Sequence, residues 1–309
     1  MASSKVVVLG TGGTIAGTAA SATDAVGYTA AQLGVAQLVA AVPALAGLDL
    51  DCEQVAQLDS KDMDVPTWQR LAQRAAWHLA RPEVAGVVVT HGTDTLEETA
   101  YLLHRVLAPA KPLVLTAAMR PATSLQADGP QNLLDAVAVA RDAGAQGVLA
   151  ALAGRVWAGA ELRKVHTLRL DAFDAGDAGA LAAVEEGRLR WWRSAPRGEA
   201  LGLQRLAREA AQWPRVEVVF NHAGAGGALV DALLAQRVAG IVAAGTGNGT
   251  LHRELEAALR RAQAAGVRLL RCTRCAAGPV LGDGALPSAG ALSPWQARVE
   301  LLLQLLGPA

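Results

Sequence analysis

Two threonines stand where glycine-rich turns follow short apolar runs. Thr14 lies in LGTGGTIAG, residues 9–17, behind KVVV; Thr93 lies in THGTDTLEE, residues 90–98, behind GVVV. Glycines let the backbone turn tightly and leave a ligand room to approach, so a threonine among them can present its hydroxyl beside backbone amides. Acyl transfer needs that combination of a nucleophile and donors for a developing oxyanion. A threonine hydroxyl attacks poorly unless a neighbour takes its proton, and the sequence offers two candidates. Tyr28 sits in SATDAVGYTA, residues 21–30, a small-residue stretch suited to closing over a ligand. Lys164 sits in ELRKVH, residues 161–166, where a partly desolvated amine can act as a base; its ordinary alternative is an exposed ammonium. Asp94, directly after Thr93, can hold a substrate ammonium or serve simple turn chemistry. Thr95 and Glu98 have capping-box spacing, so Thr95 reads as structural.

The same glycines could instead wrap a phosphate, and their spacing decides against it. A dinucleotide fingerprint wants glycine at the first, third and sixth places. Counting from Gly10, the sixth residue is Ile15; from Gly245 it is Thr250. A Walker loop running from Gly12 to Gly17 would need Lys next, and the residue is Thr18. No G-x-S-x-G elbow or H-E-x-x-H is present, and the six histidines are scattered. His91, the one inside a loop of interest, reads as a satisfied structural histidine.

These loops must be carried by elements that bring them together. Apolar runs at 5–9, 86–90, 112–118, 147–152, 216–220, 240–245 and 267–272 alternate with amphipathic stretches such as 66–80 and 95–107. Near-continuous apolar strands mean burial on both faces, and alternation with helices predicts an α/β protein built on a parallel sheet. Ligands in such sheets bind at the strand ends, where both threonines fall. Between about 174 and 215 the rhythm loosens into DAGDAGA, EEGRLRWWRSAPRGEA and QWPR, the composition of a linker. The reading is a larger N-terminal α/β domain over 1–190, a linker over 191–212 and a smaller C-terminal α/β domain over 213–309. Trp191 and Trp192 are expected to pack the linker.

Length and composition narrow the partners. The chain has 309 residues, with 28 basic residues balancing 28 acidic ones, so no net field favours nucleic acid or an anionic membrane. A small neutral or zwitterionic substrate fits better. Only four of the basic residues are lysines: Lys5, Lys61, Lys111 and Lys164. The first ten residues have a short apolar run unlike a signal peptide, and the uncharged stretch 25–48 is broken by glycine, glutamine and proline. A cytoplasmic protein without a membrane span is expected. Cys52, Cys272 and Cys275 fit a reduced compartment, and CTRC at 272–275 lacks a second ligand pair for zinc.

Five motifs now carry a resemblance: TGGTIAG at 11–17, VVTHGTDTLEETAYLL at 88–103, AAMRP at 117–121, ADGPQNL at 127–133 and GTGNGTL at 245–251. In this order and across nearly the whole chain, the sequence resembles the bacterial-type L-asparaginases, including the asparaginase-glutaminases. The resemblance implies a two-domain α/β amidohydrolase with no cofactor or metal, a homotetramer of tight dimers with sites at the dimer interface. It implies Thr14 as acyl-forming nucleophile assisted by Tyr28 on a mobile lid. Thr93, Asp94 and Lys164 become a second catalytic set. Ser60 would bind the substrate carboxylate, Asp94 its ammonium, and Gly13, Gly92, Thr93 and Ala118 would surround the amide. Asn248 matches a second-domain residue that supports the partner's site. Two departures stand out. Lys61 occupies a position where many relatives carry Gln or Glu against the ammonium, and the short segment 276–284 replaces a longer acidic stretch, leaving Asp283 as the candidate substitute. L-Asparagine is the implied substrate, with L-glutamine or a non-hydrolytic partner subunit as alternatives.

Overall fold

The computed structural model describes residues 5–24, 26–282, 284 and 286–307. It forms two compact units, Met1–Leu203 and Gln204–Ala309. In the first unit the chain runs β1 (Lys5–Gly12), β2 (Thr18–Ala19), β3 (Tyr28–Thr29), α1 (Val35–Ala40), β4 (Leu50–Leu58), α2 (Val65–Leu79) and β5 (Val84–Thr90). It continues through α3 (Leu96–Leu107), β6 (Leu113–Thr116), α4 (Gly129–Arg141), β7 (Val148–Leu152) and β8 (Arg155–Ala158). Four short strands follow: β9 (Arg163–Lys164), β10 (Phe173–Asp174), β11 (Ala182–Glu185) and β12 (Arg188–Trp191).

Eight strands make one sheet in the order β12-β11-β8-β7-β6-β5-β1-β4. From β4 to β7 all neighbours are parallel, whereas β8, β11 and β12 are added antiparallel at the other edge. The valine runs explain the centre: Val6 to Val8 and Val87 to Val89 are fully buried, which only a strand covered on both faces achieves. One face packs on α4 through Leu133, Ala136, Val137 and Ala140. Helix α2 starts where Asp64 accepts a hydrogen bond from the Thr67 amide at 2.9 Å, with Pro66 in its first turn.

Three local details differ from the sequence reading. Strand β4 is an edge strand in which Val55 alone is buried and Asp51, Glu53 and Gln54 interrupt the sequence, so it has no apolar run to announce it. Residues 188–191, inside a stretch whose composition suggested a linker, pair with β11 across the turn at Glu186 and Gly187. Their charged alternation is that of an exposed edge strand. Thr95 precedes α3 without capping it; its hydroxyl donates instead to the Ser60 carbonyl at 2.8 Å.

The second unit is a three-stranded parallel sheet, β13 (Val216–Phe220), β14 (Gly240–Gly245) and β15 (Arg268–Thr273), with α5 (Ala228–Ala235), α6 (Arg253–Ala264) and α7 (Pro294–Leu306). Helix α7 begins with a full capping box between Ser293 and Gln296. Asp283 lies outside the described residues.

Candidate active site

Thr14 opens a single turn of 3₁₀ helix immediately after β1. Gly12 and Gly13 precede it with φ of +102° and +80°, a left-handed course that a side chain would resist. The turn is fastened by the Gly13 amide donating to the Leu58 carbonyl and by the Gly13 carbonyl accepting from Ala31. Thr14 is buried, and its hydroxyl lies 2.7 Å from the Tyr28 hydroxyl. Tyr28 belongs to β3, which pairs with β2 over two residues.

The second cluster forms where β5 gives way to α3. Lys164, on β9, donates from Nζ to Thr93 Oγ1 at 2.9 Å and to Asp94 Oδ1 at 2.6 Å. Asp94 remains 53% exposed at its side chain, open to a cationic group of a ligand. Ser60, fully enclosed in the turn after β4, accepts the Asp94 amide at 3.2 Å. Glycine lets the clusters meet. A methyl on Gly92 would lie 2.4 Å from Ser60 Oγ, and one on Gly13 would lie 2.4 Å from Gly92 Cα. The turns bearing Thr14, Thr93 and Ser60 are therefore in van der Waals contact.

Lys61 follows Ser60, yet its side chain is 63% exposed and paired with Asp59 and Asp62. The Asp59 hydrogen bond, chiefly, holds its ammonium above the ordinary lysine range. Its charge is spent beside the turn. Asn248 belongs to the second unit, where its side-chain amide donates to the Leu281 carbonyl at 3.0 Å and accepts from the Leu281 amide at 2.7 Å. It fastens the short segment after β15.

His91 is the satisfied structural histidine that the sequence suggested, and Asp128 and Asn132, given no role by the sequence, also hold this arrangement. His91 is fully buried, and desolvation pushes its pKa down to about 4. Its Nδ1 sits 2.7 Å from the Gly92 carbonyl, which can only accept, so Nδ1 carries the proton. Nε2 then accepts from Thr99, whose oxygen accepts from the Trp68 indole. Ala118, in the loop after β6, is positioned by Asp128 and Asn132. The Asp128 carboxylate accepts the Met119 and Arg120 amides, while Asn132 donates to Ala117 and accepts from Ala153. Burial holds the Asp128 carboxyl above its usual range despite those donors. Gly129 gives the loop contact with the first turn: a methyl there would meet Ile15 at 2.9 Å and Ala118 at 3.5 Å. Among the described residues, no group of three His, Cys, Asp or Glu side chains could hold a metal ion.

The chain as a whole matches a known protein family. Residues 5–197 match the model described as "Asparaginase, N-terminal". Residues 215–307 match that of the "Glutaminase/Asparaginase C-terminal domain". The chain belongs to the asparaginase family. Within it, the chain is 36% identical to L-asparaginase 2 of Escherichia coli K12, over 97% of this chain and 88% of that protein. It is 35% identical to the glutaminase-asparaginase of Pseudomonas fluorescens biotype A, over 97% and 86% respectively. The structure of a probable cytoplasmic L-asparaginase from Campylobacter jejuni superposes with a TM-score of 0.92 at 34% identity, covering 98% of this chain and 95% of that one. As an asparaginase-family fold, the chain is an α/β amidohydrolase with a large, mostly parallel sheet and a smaller C-terminal domain.

Proposed function

We propose that the chain hydrolyses the side-chain amide of L-asparagine to L-aspartate and ammonia through an acyl-enzyme on Thr14. The observation that carries this reading is the contact between the Thr14–Tyr28 pair and the Thr93–Asp94–Lys164 cluster through Gly13 and Gly92. Asp94 receives the substrate ammonium and Ser60 its carboxylate, which sets the side-chain amide against the first turn. Thr14 Oγ attacks the amide carbon while Tyr28 relays the hydroxyl proton towards the departing nitrogen. Backbone groups of Gly13, Gly92 and Thr93, with Ala118 behind the amide, line the space where the oxyanion develops. The C–N bond breaks, ammonia leaves with the proton, and water then adds to the ester carbonyl. Thr93 takes a proton from that water and passes it to the Lys164 amine, which hands one on to Asp94, and a proton returns to Thr14 Oγ as the ester C–O bond breaks and aspartate is released.

A second reading is broader amide specificity that includes L-glutamine. It is favoured by the glutaminase-asparaginases of Pseudomonas and Acinetobacter among the relatives. One methylene changes discrimination by only about 1–3 kcal/mol, so the packing around Tyr28 decides it. The active species is a homotetramer, with Asn248 supporting a neighbour's site through the segment it fastens. A cytoplasmic location accords with Cys52, Cys272 and Cys275, none of which forms a disulfide.

A coupled ammonia assay with L-asparagine, D-asparagine and L-glutamine tests the proposal. L-Asparagine should be turned over fastest, and Thr14→Ala should lose at least a thousandfold in kcat (~4 kcal/mol of barrier). Full activity in that variant removes Thr14 as nucleophile.

A further inference from the structure

Lys164 is gripped at both ends by one short stretch of chain. Its ammonium goes to Thr93 and Asp94, and its backbone amide donates to Glu97 Oε2 at 2.7 Å. Thr93, Asp94 and Glu97 all lie on the β5–α3 junction, whereas Lys164 arrives from a hairpin remote in sequence. The ladder of that hairpin is short. Strands β9 and β10 share two residue pairs, Lys164 with Phe173 and Arg163 with Asp174.

Glu97 is also an unusual place to find a carboxylate. It sits on the buried side of the first turn of α3 at 5% exposure, while its neighbour Glu98 is only partly covered. An enclosed carboxylate costs several kcal/mol unless hydrogen bonds satisfy it. A charge-assisted bond from a backbone amide, at the N-terminal end of a helix, is a strong way to do so. A surface-facing glutamate would have served the helix as well. Burial on this side places the carboxylate against the main chain at Lys164.

We propose that Glu97 is a positioning residue for Lys164, setting the height of the amine between Thr93 and Asp94. This rests on the reading of Lys164 as a proton-relaying group in amide hydrolysis. A long lysine side chain with four rotatable bonds reaches its partners only if its Cα is held, and a displacement of about 1 Å at a reacting group can cost 10²-fold in rate. The tie acts on chemistry and leaves the groups that hold the substrate, Ser60 and the open side of Asp94, unmoved.

The test compares Glu97→Ala with Glu97→Gln, which keeps an acceptor oxygen at the same reach without the charge. Two readouts are taken well below each variant's Tm: steady-state L-asparagine kinetics and hydrogen exchange of the Lys164 amide. Glu97→Ala should lower kcat by about 10–100-fold with KM within about threefold, and should speed exchange at Lys164. Glu97→Gln should restore most of the kcat and the slow exchange. Glu97→Asp, one methylene short, should fall between them, and it replaces Glu97→Ala if that chain does not fold. The proposal is overturned if Glu97→Ala keeps kcat within twofold, or if exchange at Lys164 does not change. If the parent itself releases no ammonia, the hydrolytic reading fails, and the exchange data alone decide whether Glu97 holds the Lys164 main chain.

Discussion

Gly13 approaches Gly92 so closely that it cannot carry a side chain: a methyl on Gly13 would fall 2.4 Å from both the Cα and the nitrogen of Gly92. The contact is backbone against backbone, so no side-chain rotation relieves it. Gly13 also has φ of +80°. Gly13→Ala is expected to cost about 2–4 kcal/mol from overpacking and the left-handed backbone together. Calorimetry should show a Tm lower by roughly 5–15 °C. Kinetics on the folded fraction should show kcat reduced far more than for a surface Gly→Ala such as Gly226→Ala, where a methyl meets open space.

Tyr28 meets the nucleophile through its hydroxyl. Tyr28→Phe keeps the ring against Gly17 and removes the proton relay, so kcat for L-asparagine should fall by about 10²–10⁴-fold. Stability should hardly change, because the hydroxyl pair is only part-buried. Stopped-flow kinetics that find acyl-enzyme formation as fast as in the parent would assign the proton transfer elsewhere.

Lys61 is engaged by Asp59 and Asp62 and stands largely in solvent. Exposed ion pairs contribute between about 0 and 1 kcal/mol. Lys61→Ala should therefore change the KM for L-asparagine by less than about threefold, and Lys61→Gln likewise. A tenfold fall in KM on either substitution would show that the cation repels the substrate ammonium.

His91 gives the fold a pH dependence whose sign follows from its burial. Its folded pKa lies near 4, below the ordinary 6.5, so the unfolded chain binds the proton more readily across that window. Its stabilising contribution is present above pH 6.5 and is lost as the pH falls towards 4. The loss reaches about 2 kcal/mol by pH 5. Urea midpoints measured at pH 7 and pH 5 should differ less in His91→Asn than in the parent chain.

The parts of the site written in local pattern were legible, and those written in long-range backbone contacts were not. Thr14, Thr93 and Asp94 follow valine runs, so strand end, turn and hydroxyl could be read together. Lys164 has no local pattern, and only the scarcity of lysine and a family resemblance pointed to it. Glu97, Asp128 and Asn132 act on main-chain atoms of residues far along or around a turn, and a one-dimensional pattern holds no trace of a backbone acceptor's partner. The TLEE segment did contain a signal, two adjacent glutamates on a helix start, but its spacing favoured Thr95 and Glu98 as a cap. The turn went the other way because Ser60 offered Thr95 a carbonyl. Strand β4 escaped notice because an edge strand needs apolar residues on one side only.

The scarcity of lysine has a consequence for handling the molecule. The chain has four lysines, and each has a partner: Lys5 has Asp49 and Asp51, Lys61 has Asp59 and Asp62, Lys111 has the Arg81 carbonyl, and Lys164 has Thr93 and Asp94. Lys61, at 63% exposure, is far more open than Lys5 or Lys164, at 22% and 21%. Polymer attachment or immobilisation through side-chain amines would therefore begin at Lys61, one residue from Ser60 and at the rim of the ligand site. Replacing Lys61 with arginine would keep the charge and move such conjugation away from the entrance.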